Sequence, residues 1–128
     1  MILLKPFDSK SNYCVTCDFE CHQSYSTAPG IDWAMPSFTP VQASAPGTVD
    51  RFHWGDRGGR YLRISHGDGR YTLYSHLYSA CVAVGERVKA GQMVALSDNT
   101  GASSTGPHLH FAYKEGGEWV DPAPYLEE

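Results

Sequence analysis

No apolar run in this 128-residue chain approaches the ~18 residues that a membrane-spanning helix needs, so no membrane partner is expected. A basic cluster is also missing. With a formal charge of −4, the composition argues against a nucleic-acid partner. Charged residues make up only 19%, against 41% hydrophobic, which excludes a disordered chain and fits one folded domain over residues 1–128. The opening Met1-Ile2-Leu3-Leu4-Lys5-Pro6 has neither a basic region nor an apolar stretch long enough for a signal peptide, so no export signal is expected there. No long segment follows a helical period, and there is no internal repeat. Cysteine is sparse. Cys14, Cys17 and Cys21 stand in a Cys-x2-Cys-x3-Cys-His run, with Cys81 far off. A structural zinc site usually needs two Cys pairs and only one is present, which leaves a disulfide, small buried residues or a metal as open readings.

What the chain does have is turn signals, with 13 glycines and 8 prolines. Between them lie short alternating or apolar segments at 13–19, 31–36, 39–43, 48–54, 61–66, 70–76, 82–84, 87–89 and 93–96. Gly67-Asp68-Gly69 is a strong hairpin signature, and Gly55–Gly59, Gly85, Gly91 and Glu115-Gly116-Gly117-Glu118 mark further turns. Residues 1–12 read as a loose lead-in, 98–106 as a polar loop, and 121–124 as an extended tail. Many short strands and no convincing helix predict an all-β sandwich or barrel.

Two features carry chemistry. In Pro107-His108-Leu109-His110-Phe111, proline suits a strand entry, and alternation puts His108 and His110 on one face with Leu109 in the core. Imidazoles roughly 6–7 Å apart along a strand suit one ring on a metal and its neighbour on a water. Taken alone, the pair fits an edge strand with two exposed histidines equally well. The second feature is Asp32, between Ile31 and Trp33. A buried carboxylate is costly unless it is paired or metal-bound, although a surface turn is the simpler alternative. On the 70–76 segment, Thr72, Tyr74 and His76 share a face by alternation.

Gly30-Ile31-Asp32, Thr39-Pro40-Val41-x-Ala43, Tyr74-x-His76-Leu77, Val88-x-Ala90-Gly91-Gln92 and Ser104-Thr105-Gly106-Pro107-His108-Leu109-His110-Phe111 occur in this order. From about Phe19 to Leu126 the chain resembles the M23 family, the lysostaphin-like (LytM-type) zinc peptidases that cut bacterial cell-wall peptides. The resemblance implies an antiparallel β-sandwich with a long substrate groove. It implies one catalytic Zn²⁺ held by Asp32, by His110 and by a histidine upstream of Asp32. His76 and His108 would be the catalytic histidines, and peptidoglycan peptides the substrate. The family's usual first motif is His-x-x-x-Asp, and here the position four before Asp32 is Ala28. His22 is the proposed replacement, delivered at the end of the first strand. A longer connection costs little, because closure entropy grows only logarithmically. His53 and His66 are less apt, as strand-end and turn residues. Tyr74 is assigned to substrate binding along the groove, with packing on the sheet as its alternative.

Two histidines and one carboxylate leave a tetrahedral zinc one open position for water, whose pKa falls to about 7. His108 would handle that water, and His76 would steady the oxyanion or protonate the leaving amine. A bare catalytic domain acting at the cell wall as a monomer suits a phage or bacterial lysin. Two other classes compete. A degenerate M23-like domain that binds without cutting is motivated by Ala28. A carrier domain is suggested by Gly85-x-x-Val88-x-x-Gly91-Gln92, but it leaves Asp32, His108 and His110 unexplained.

Overall fold

The computed structural model describes residues 1–23, 26–55, 59–98 and 106–127. Ten strands form one connected antiparallel sheet: β1 (Val15–Cys17), β2 (Ile31–Ala34), β3 (Pro40–Gln42), β4 (Gly47–Gly55), β5 (Gly59–Gly67), β6 (Arg70–Ala80), β7 (Arg87–Val88), β8 (Met93–Ser97), β9 (His108–Glu115) and β10 (Glu118–Val120). The main order is β1-β2-β9-β6-β5-β4-β7. β10 pairs with β9, β8 with β6, and β3 with β8. The all-β expectation holds. Among the described residues, helix is limited to α1 (Phe19–Gln23) and a 3-10 turn at Ala123–Tyr125. No described helix is long and apolar enough to cross a membrane.

Local chemistry explains the pairings. The turn between β5 and β6 has positive φ at both Asp68 (55°) and Gly69 (74°), the type I′ geometry whose twist matches paired strands. On β5, Leu62 and Ile64 alternate into the core, where they meet Val41, Val49, Leu77, Val94 and Leu109. β6 and β9 lie inside the sheet and are buried over most of their length. Gly30, just before β2, lies hard against β9, and a Cβ there would collide with the Phe111 carbonyl oxygen. Glycine at this position therefore lets Asp32 pair with His110 across the strands.

Several expectations need correction. Residues 1–12 are not loose: Leu3 and Phe7 are core residues, and Leu3 bridges to Leu126. Their apolar side chains were the signal for this. The 13–19 strand stops at Cys17, because Asp18 caps α1 by accepting the Cys21 N–H at 2.9 Å. Residues 82–84 form no strand. Gly85 turns there at φ 96° and donates its N–H to the Val49 carbonyl. Residues 121–124 curl into the 3-10 turn, with the Asp121 side chain accepting the Ala123 N–H. Cys17 and Cys21 form a disulfide, while Cys14 and Cys81 are exposed thiols, not small core residues. The turn at 56–58 and the loop at 99–105, with Ser104 and Thr105, lie outside the described residues.

Candidate metal centre

Asp32 is the hub of the site. β2 pairs with β9 so that Asp32 stands opposite His110 and Ala34 opposite His108. The Asp32 Oδ1 atom lies 2.8 Å from His110 Nδ1. Its Oδ2 atom lies 3.1 Å from His22 Nε2 and 3.6 Å from His108 Nε2. His22, Asp32, His76 and His110 are all buried. The rings of His22 and His110 have centroids 4.7 Å apart, and those of His76 and His108 are 4.2 Å apart. The structure thus brings together His22, Asp32, His76, His108 and His110, which arrive from α1, β2, β6 and β9.

His22 reaches the site from a helix, not from a strand end. Its Nδ1–H donates to the Asp18 carbonyl at 2.8 Å, which points Nε2 at Asp32. His110 Nε2–H donates to the Ala28 carbonyl at 2.7 Å. Ala28, the position where a ligand histidine was missed, therefore contributes its backbone oxygen to orient His110. His108 Nδ1–H donates to the Gly106 carbonyl at 2.8 Å, leaving Nε2 toward the centre. Backbone carbonyls carry no residue signature, so these contacts had no signal in the sequence. With their outer N–H groups held by carbonyls, His22 Nε2 and His110 Nδ1 face one carboxylate. Two imidazole nitrogens and a carboxylate, their rings fixed from behind, form a donor set that fits zinc.

His76 joins the site through a break in alternation. It has φ 66°, a left-handed conformation unusual for a residue with a side chain. It sits where β6 leaves β9, whose last paired residue there is Ser75, and takes up β8 from Leu77 onward. The pairing of β6 with β5 also slips between Ser75 and Leu77. The bulge sends His76 to the same side as His108 while Tyr74 stays in the core.

Tyr74 is therefore not a groove residue. It is fully buried against Phe111, with ring centroids 5.4 Å apart. Its hydroxyl accepts the Ser44 N–H at 3.0 Å and meets Thr72 Oγ1 at 2.8 Å. Thr72 continues to His66 Nε2 at 2.8 Å, and His66 Nδ1–H donates to the Pro46 carbonyl at 2.7 Å. This polar chain ties β6 to residues 44–46 and gives His66 a structural place away from the metal centre. Burial, partly offset by the Pro46 hydrogen bond, pushes the His66 imidazole down, in keeping with a neutral ring. His53 is exposed. Tyr74→Phe should lower stability by about 1–3 kcal/mol in urea unfolding, through the buried partners left unsatisfied. KM for the substrate should not change, whereas a groove residue would raise it.

The charges in the cluster support one another. Burial pushes the Asp32 carboxyl up, but hydrogen bonds from His110 and His22, and their charges, hold it well below the usual carboxylate range. Burial pushes the His22 imidazole down, but bonding to Asp32 and Asp18, the Asp32 charge and a Gly30 backbone hydrogen bond raise it overall. In the metal-free chain, the Asp32 contribution is complete above its unfolded value and lost as pH falls through the lowered one. The His22 contribution is complete below its unfolded value and lost as pH rises through the raised one. The Tm difference between metal-free wild type and Asp32→Asn should therefore be largest between about pH 4 and 6.5, and shrink on either side.

Comparison with known proteins places these residues in context. Residues 26–122 match peptidase family M23. A Haemophilus influenzae protein named an uncharacterized metalloprotease is 39% identical over 118 residues, 91% of this chain and 23% of that protein. The Vibrio cholerae peptidoglycan DD-endopeptidase ShyC is 33% identical over 91% of this chain and 25% of its own length. The chain thus spans about a quarter of these curated relatives. A solved structure of a zinc-containing peptidase from Vibrio cholerae superposes with a TM-score of 0.80 at 32% identity, covering 91% of this chain and 37% of that one.

Proposed function

The chain belongs to peptidase family M23, and we propose that it is a zinc-dependent endopeptidase that hydrolyses peptide bonds in bacterial peptidoglycan. The observation that carries this reading is the Asp32 carboxylate with His22 and His110 ring nitrogens at 3.1 and 2.8 Å. The relatives named for peptidoglycan endopeptidase activity support the substrate class. Residues 1–128 are read as one catalytic unit acting as a monomer at the cell wall, in the periplasm or outside the cell.

His22, Asp32 and His110 would hold the ion. Zinc, when bound, supplies a Lewis acid that acidifies water and polarises a carbonyl. The chain's own residues manage the protons. His108 presents Nε2 to the centre because its Nδ1–H is committed to Gly106. That tautomer makes Nε2 the acceptor for a proton from the attacking water. His76, with its ring 4.2 Å from that of His108, is placed to steady the oxygen that gains charge or to protonate the leaving nitrogen as the C–N bond breaks. The alternative of a non-cutting wall binder rested on Ala28, and His22 against Asp32 weighs against it.

The test is digestion of purified walls of several chemotypes, with and without a chelator, followed by mass analysis. Fragments should gain one water per cut, disappear with chelator and return with added zinc. Digestion that persists after complete metal removal, or no cleavage of any wall by metal-loaded protein, would overturn the proposal.

A further inference from the structure

The sheet places a further side chain of a metal-binding type beside the candidate centre. Cys17 on β1 is the direct cross-strand partner of Asp32 on β2, and Asp32 is the partner of His110 on β9. Cross-strand partners share a face, so Cys17, Asp32 and His110 form one rung across three strands. Donor atoms of Cys17, His22 and Asp32 all lie within 4.8 Å of one another. Sulfur at that range needs only a small side-chain adjustment to join a tetrahedral site. In the structure this sulfur is bonded to Cys21, one residue before His22.

We propose that reduction of the Cys17–Cys21 disulfide makes Cys17 a fourth ligand of the metal centre, turning an open hydrolytic site into a closed one. The proposal rests on the zinc reading above. Cys21 is the exposed partner, so a dithiol reductant attacks its sulfur and Cys17 leaves as a thiolate inside the site. The second thiol of the reductant then displaces the mixed disulfide. Overall, the dithiol becomes a disulfide, Cys21 takes up a proton as a thiol, one proton is released, and the Cys17 thiolate remains to bind the metal. A Cys-His-Asp-His set fills four positions and leaves no place for water, as in structural zinc sites. Reoxidation withdraws the sulfur and reopens the position. The disulfide is then a redox latch on activity. The chain would be silent where dithiols keep it reduced and active where they do not.

The test uses the full chain carrying Cys14→Ser and Cys81→Ser, which removes the two exposed thiols. The probe is Co²⁺, with wall digestion as a second readout. The disulfide form should bind cobalt without a near-ultraviolet sulfur-to-cobalt charge-transfer band. After treatment with dithiothreitol, removed by gel filtration before loading, the band should appear and digestion should fall roughly tenfold or more. Cys21→Ser should show the band without reductant and bind zinc roughly tenfold or more tightly than Cys17→Ser. Cys17→Ser should lack the band, and reductant should not change its activity. Cobalt bound to reduced protein or to Cys21→Ser without the band would overturn this inference alone. So would equal metal loss in both single variants, which would make the disulfide only a support for His22. Failure of every form to bind cobalt would overturn the metal reading with it.

Discussion

His108→Ala is expected to reduce peptide cleavage by roughly 10²–10⁴-fold, the usual worth of a positioned proton-transfer group. Zinc content should stay near stoichiometric. The distances support this separation. His108 Nε2 is 3.6 Å from Asp32 Oδ2, beyond the 2.8 and 3.1 Å contacts of His110 and His22. Its removal leaves the three donors and their backbone anchors at Asp18 and Ala28 in place. The loss should fall on kcat more than on KM, because the proton moves only as the bond to water forms. Metal analysis beside steady-state kinetics on a defined peptide checks both parts. A variant that still cuts at the wild-type rate would show that the water loses its proton to another group.

Asp32→Ala should abolish metal binding and cleavage together, with zinc affinity reduced by at least about 100-fold. Replacing the carboxylate removes a donor and the anion that both the His22 and His110 rings face. Two imidazoles alone make a weak site, even with the Asp18 and Ala28 carbonyls still holding their rings. Asp32→Asn gives a sharper comparison. It keeps the shape and can still hydrogen-bond, but it lacks the charge. If charge on the hub holds the ion, the asparagine variant should be almost as metal-poor as the alanine one. Dialysis against a zinc buffer, followed by elemental analysis, separates these outcomes. Full zinc retention in both variants would place the ion elsewhere.

The parts of this arrangement that were readable before the structure follow strict alternation. His108-Leu109-His110 on β9 reads correctly because an interior strand with one face in the core tolerates no slip, and Leu109 is fully buried. The β5–β6 hairpin was legible because two consecutive positive-φ residues demand the composition found at Gly67-Asp68-Gly69. Reading failed where alternation breaks. On β6 the same rule put Tyr74 and His76 on one face, but the left-handed turn of His76 separates them. That turn is set by which strand β6 pairs with at each point, a long-range property. α1 is only five residues long, too short for periodicity to register, although the Asp18 cap was visible in hindsight. Cys17 opposite Asp32 depended on the register of β1 on β2, which local sequence does not encode.

The layout of the sheet has a consequence for how the protein would come apart. β6 is paired to β5, β8 and β9, and β9 to β2, β6 and β10, so His76, His108 and His110 ride on its most enclosed strands. His22 rides on a one-turn helix beyond β1, the edge strand. Amides of β6 and β9 should exchange with deuterium only by global opening, and those of α1 through cheaper local fraying. Loss of the ion and loss of the fold are then separate events. The corner bearing His22 should open first, and on the proposed zinc reading its opening rate should limit how fast the ion escapes from an otherwise intact molecule.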